Sequence, residues 1–201
     1  MAIPRIRAAV LALHWQVNVI RPEGFFGPML AGPVAASGVV PRAVRFHAAV
    51  AERGLPVAFL RFTIPVGEGG LVRNTGFMRS VAAAQTEFRP DSPGTQLIPE
   101  MIEQPTAVFD NQKLSGLAGC LLPEWLDEHG IDTVFVTGVA TNLVVEQTAR
   151  NATDLGFTVY PISDCVAAVS PETSAASLAN LELTTAGCRT ADQALELIGP
   201  R

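Results

Sequence analysis

The chain has 201 residues, of which 48% are apolar and 16% charged, and a net charge of −5. That length suits one α/β domain and is short for two, so residues 1–201 are read as a single domain. The charged fraction lies below the ~25% usual for globular domains, no block of lysine or arginine offers a nucleic-acid footprint, and no apolar run approaches the ~20 residues that span a bilayer.

The three cysteines, Cys120, Cys165 and Cys188, lie far apart and form no CxxC pair, so neither a disulfide framework nor a zinc site is suggested. No metal and no cofactor is expected. The N-terminal text MAIPRIRAAVLAL runs straight into a strand pattern, from which a cytoplasmic protein is expected. The sparse surface charge favours burial in a homo-oligomer.

Residues 6–13, IRAAVLAL, form the pattern of a buried central strand ending at His14. The glycine- and proline-rich text from Arg21 to Val40 reads as a loop carrying Phe25, Phe26 and Met29. Pro41 is expected at a first helical position, with Val44, Ala48 and Ala51 on one face and Gly54 as the stop. Leu55 to Phe62 is the second strand. From Thr63 to Gln96 the chain is irregular, a long lid or insertion holding Phe77 and a short helix near Val81 to Phe88. Thr106 to Phe109 is the third strand, followed by Asp110, Asn111, Gln112 and Lys113. Pro123 to His129 is helical, with Gly130 as its stop.

Residues 131–165 are the most informative stretch. Val134 to Val136 read as a strand, Gly138 as a break, and Thr141 or Asn142 as the cap of a helix in which Glu146 pairs with Arg150. Gly156 ends that helix and Phe157 to Ile162 form the next strand. Strand, helix, strand is a parallel unit with a right-handed crossover. Ser170 then caps a helix with Pro171 at its first position, a last strand is expected around Leu183 to Ala186, and a final helix opens on the capping box Thr190 to Gln193 and stops at Gly199. This alternation predicts an α/β protein with a single doubly wound, mostly parallel sheet between two layers of helices.

In such sheets ligands bind beyond the carboxyl ends of the strands, where helix amides and dipoles favour negative charge. Position 144 falls in the first turn of a helix there. A cysteine at that point would be held as a thiolate, but this chain has Val144.

The segment GVATNLVVEQTAR, Gly138 to Arg150, closely resembles the nucleophile turn of the isochorismatase-like cysteine hydrolases, whose members read GVATNxCVExTAR. Ala9 to Ile20, Ser92 to Met101 and Ala107 to Leu117 resemble that family's other landmarks in order, so the likeness covers nearly the whole chain and implies a three-layer, Rossmann-like fold. It also implies a small-molecule substrate and an oligomer. Family members that cleave amides use an aspartate, a lysine and the cysteine, and those positions carry His14, Asn111 and Val144 here. Gln16, Thr141 and Asn142 match the pattern.

His14 and Asn111 are the catalytic candidates. A histidine ending a strand at the ligand edge serves as acid or base near neutral pH; the competing reading is a buried, hydrogen-bonded core histidine. Asn111 either orients a substrate carbonyl or terminates its strand, and a two-residue register difference would bring Lys113 into the site instead. Trp15, Phe25, Phe26 and Phe77 are candidates for an aromatic pocket, joined by Gln16, Lys113, Thr141, Asn142 and Val144 as substrate-binding positions. Cys165, His47 and His129 are read as structural. Two functions follow: cysteine-free acid–base chemistry on a small carbonyl, amide or enol-type compound by hydrolysis, isomerisation or elimination, or a catalytically inactive relative that binds a small ligand or a protein partner.

Overall fold

The computed structural model describes residues 6–200. Five parallel strands run in the order β3-β2-β1-β4-β5, with β1 at Ala8–Leu13, β2 at Val57–Phe62, β3 at Ala107–Asn111, β4 at Thr133–Val139 and β5 at Thr158–Ala167. β1 is central and wholly buried because it is apolar on both faces. Ala8, Val10 and Ala12 meet one core and Ala9, Leu11 and Leu13 the other.

The first core is covered by α1 (Val17–Ile20), α2 (Gly27–Ser37), α3 (Val39–Glu52) and, from the far end of the chain, α8 (Ala191–Ile198). α3 buries Ala43, Phe46 and Val50, a helical stripe that differs from the face read from the sequence, since Val44 is half-buried and Ala48 and Ala51 are exposed. The second core is covered by α5 (Leu122–Glu128), α6 (Glu146–Asp154) and α7 (Pro171–Thr184). The remaining helix, α4 (Gly76–Ala83), lies in the long segment 63–96 with its N-cap Thr75 accepting from Met78 N–H.

Several expectations need correction. Residues 21–40 are not a loop: α2 forms despite Pro33 inside it, because Pro28 sits in the first turn where no N–H is needed and Leu30, Ala31 and Val34 gain burial. Pro41 is the third residue of α3, which starts at Val39 behind the left-handed Gly38. No strand spans Leu183 to Ala186; α7 continues through Thr184 with Leu183 exposed, and this part of the chain meets the sheet through the Ala186 N–H, which donates to Val159 O, and a bridge from Arg189 to Ile162. The helix after β4 lacks the expected side-chain cap, since it opens with a π-helical turn over Thr141–Val145 and the Thr141 hydroxyl is taken by Ser174 at 2.6 Å. The Glu146–Arg150 pair forms at 3.1 Å and Ser170, Thr190 and Gln193 cap as read.

The strand order reverses between β1 and β4. Their carboxyl ends approach so closely that a Cβ on Gly138 would stand 2.4 Å from the Leu13 carbonyl oxygen, and Gly138 has φ +144°. The next peptide, Val139–Ala140, is cis. Gly138→Ala is expected to destabilise the fold by more than ~3 kcal/mol, since it adds a backbone clash to a conformation that L-residues avoid. Thermal denaturation checks this: a fall of about 10 °C is expected, and a melting temperature within a degree of wild type would contradict the close approach.

Candidate functional site

At that reversal lies a cavity of about 340 Å³. Its floor is the ends of β1 and β4, with His14 from the first and Val139 and Ala140 from the second, and the π turn adds Asn142, Leu143 and Val144. Gln16, Asn18 and Val19 after β1, Phe62 at the end of β2, Phe26, Met29 and Leu30 of the α2 region, Phe77, Val81 and Phe88 of the long segment, Lys113 and Leu114 after β3, and Val169 complete the wall.

His14 takes φ +56°, a left-handed conformation uncommon for a non-glycine residue, and its own N–H stays bonded to Leu60 O at 2.9 Å. The next residue, Trp15, is therefore in the first core. The indole of Trp15 is fully buried, its Nε1–H donates to Thr137 Oγ1 at 3.4 Å, and it takes no part in the cavity wall, which corrects its assignment to the ligand. The Thr137 hydroxyl lies 2.9 Å from His47 Nε2, and His47 Nδ1 lies 3.2 Å from Gln104 Oε1. Gln104 Oε1 only accepts, so Nδ1 carries the proton and Nε2 accepts from Thr137. Burial lowers the His47 pKa to about 4 against the smaller raising effect of Gln104.

His14 lacks such a network. Its Nε2 is buried without a hydrogen-bond partner among the described residues, its ring meets Phe62 edge-on at 6.2 Å, and burial lowers its pKa to about 4. The imidazole is neutral at pH 7, able to accept at one nitrogen and donate at the other.

The other candidates divide. Gln16 reaches the cavity, but its Oε1 accepts from Phe62 N–H at 2.7 Å while its Nε2 donates to Phe62 O and Thr95 O, so it clamps β1 to β2. Asn111 does not line the cavity. It is buried, with Nδ2 donating to Ser115 O at 2.7 Å and Ala118 O at 3.3 Å, and so shapes the loop that presents Lys113. Phe25 stands behind the wall, packed on Phe26 and Phe88 at 4.9 and 5.1 Å, and Thr141 faces α7; both lie outside the lining. Phe26 and Phe77 are in the wall and stack at 5.7 Å. Lys113, Asn142 and Val144 are in it as well.

Phe62, Phe88, Met29, Leu30, Leu114 and Val169 belong to the lining without having been singled out from sequence. Phe62 had a usable signal, since it ends a strand at the same edge as His14. Met29 and Leu30 were hidden by reading α2 as a loop. No thiol faces the cavity: burial raises Cys120, pushes Cys165 to about 12 and Cys188 to about 11, so none supplies a thiolate near neutrality.

An isochorismatase domain model matches residues 8–193. The uncharacterized isochorismatase family protein YecD of Escherichia coli O157:H7 is 28% identical over 180 residues, covering 85% of this chain and 89% of that one. The nicotinamidase of Escherichia coli K12 is 31% identical over 87 residues, 43% of this chain and 39% of that one. A cysteine hydrolase from Pseudomonas syringae pv. phaseolicola 1448A superposes with a TM-score of 0.82 at 21% identity, covering 98% of both chains, a likeness of fold.

The two neutral histidines give the fold a defined pH dependence. Each has a folded pKa near 4, below the ~6.5 of an unfolded chain, so the unfolded state binds more protons between those values. Stability is complete above about pH 6.5 and falls as the pH drops toward 4, by up to ~3 kcal/mol per histidine. Urea denaturation across pH 7 to 4.5 should show a shallower decline for His14→Gln than for wild type. Identical slopes would mean that His14 is not held neutral by burial.

Proposed function

We propose, from the premise that the chain belongs to the isochorismatase family, that it performs cysteine-free acid–base chemistry on a small carbonyl, amide or enol-type compound, with His14 as the proton-handling group. The observation that carries this is His14, which lines the cavity and whose Nε2 is buried with no hydrogen-bond partner among the described residues. An unmade hydrogen bond of that kind costs ~1–3 kcal/mol, which a bound ligand or the water it activates offsets.

A base with a pKa near 4 is weak, so the proton it takes must be made acidic by its surroundings. The cavity supplies two groups for that work. Lys113 brings a cation, and Asn142 brings a side-chain amide that has no protein partner among the described residues. Either polarises a carbonyl oxygen placed between it and His14, which favours attack by water, loss of an α-proton or elimination. The apolar remainder excludes bulk water and strengthens both interactions. Acyl transfer to sulfur has no place in this scheme, because Val144 stands in the turn and is 2% exposed.

A second reading, ligand binding without turnover, is favoured by the absence of any thiol or carboxylate from the lining. In both readings the chain is one domain over 1–201, works in the cytoplasm on a small molecule rather than nucleic acid, forms a homo-oligomer, and uses segment 63–96 as the lid.

A ligand-observed screen of amides, ureas, enol ethers and aromatic carboxylates with wild type and His14→Ala distinguishes the two. Turnover by wild type that drops at least ~100-fold in His14→Ala, with binding retained, is the expected result. Turnover indifferent to His14, or binding with turnover in neither protein, would leave ligand binding as the function.

A further inference from the structure

We infer that the ligand is an anion, a small organic monocarboxylate whose apolar body lies among Phe26, Phe62 and Phe88 and whose carboxylate meets Lys113. The inference rests on the cavity being the binding site, as proposed above, and adds the charge of what enters it.

A second cavity, of about 280 Å³, adjoins the first, and Lys113 and Leu114 line both. With His14 neutral, Lys113 is the one ionised side chain on either wall among the described residues, none of which contributes an aspartate or glutamate there. None of the five ion pairs among the described residues includes Lys113. Its sequence neighbour Asp110 is held in a two-pronged contact with Arg61, at 2.8 and 2.9 Å, and is thereby spent. The ammonium thus has no counter-ion among the described residues, at a place where the cavity linings are largely apolar. A bound carboxylate supplies one, through hydrogen bonds about twice as strong as neutral ones.

The position of Lys113 is built. Asn111 staples the loop below it, and the Gln112 side-chain oxygen accepts from Gly70 N–H at 3.0 Å. The lysine stem then runs between two glycines: a Cβ on Gly70 would lie 3.4 Å from Lys113 Cε, and one on Gly119 would lie 3.6 Å from its Cγ. Holding a flexible lysine in such a slot sacrifices rotamer freedom that an unliganded surface lysine keeps. On the far side Asn74 and Gln147, whose side chains have no protein partner among the described residues, can donate to the outward carboxylate oxygen. One positive charge matches one negative charge; a dianion would bury a second charge without a partner.

The test pairs each of several aryl and branched-alkyl acetates with its own amide and measures binding to wild type, Lys113→Met and Lys113→Arg by ligand-observed NMR and calorimetry. Wild type is expected to prefer each carboxylate over its amide by about tenfold or more, Lys113→Met to lose that preference while still binding the amides, and Lys113→Arg to keep it. Equal affinity for acid and amide in wild type, or a preference that survives in Lys113→Met, overturns the assignment of charge while leaving the cavity as a binding site. Binding of neither member of any pair overturns the cavity reading itself and the inference with it.

Discussion

The close approach of β1 and β4 at their carboxyl ends is the constraint on which the site depends. Gly138 leaves room for the Leu13 carbonyl where any side chain would collide with it. Beyond that contact the two chains separate: β1 continues into the left-handed His14, and β4 into Val139, Ala140 and the π turn. The space between them becomes the floor of the cavity. The same left-handed residue sets the division of labour that follows it, with His14 at the cavity, Trp15 in the first core and Gln16 clamped to Phe62. Three consecutive side chains thereby face the cavity, the core and the neighbouring strand.

Much of this was legible in the residues. The apolar run of β1, the Val134 to Val136 strand, the stops at Gly54, Gly130 and Gly156, and the caps at Ser170 and Thr190 are local signals, and local physics decides them. What escaped notice was settled by packing between distant segments. α2 has poor helix formers, yet Leu30 and Val34 gain burial against the first core, which local propensity does not register. α7 overran an expected strand because its helix, once capped, continues through a leucine that stays exposed.

At the site the positions facing the ligand edge were recognisable, but the direction of each side chain was not. Trp15 and Asn111 both adjoin the cavity in sequence and both turn away, the first behind the φ +56° of His14 and the second to satisfy loop carbonyls. The register difference between Asn111 and Lys113 depends on the same loop, whose course is fixed by hydrogen bonds from residues that sequence spacing does not bring together. A cavity assembled from seven separate stretches is visible only after they have been folded onto one another.

The cavity lining offers a neutral imidazole, a cation and side-chain amides around an apolar space, without a thiol or carboxylate among the described residues. The most direct measurement is an NMR titration of the His14 imidazole nitrogens, with and without a bound ligand. The account predicts a neutral ring at pH 7, a pKa near 4 and a shift of the Nε2 resonance when a ligand binds. A pKa near the ordinary ~6.5, or an Nε2 signal that does not respond to a ligand bound in the cavity, would contradict it.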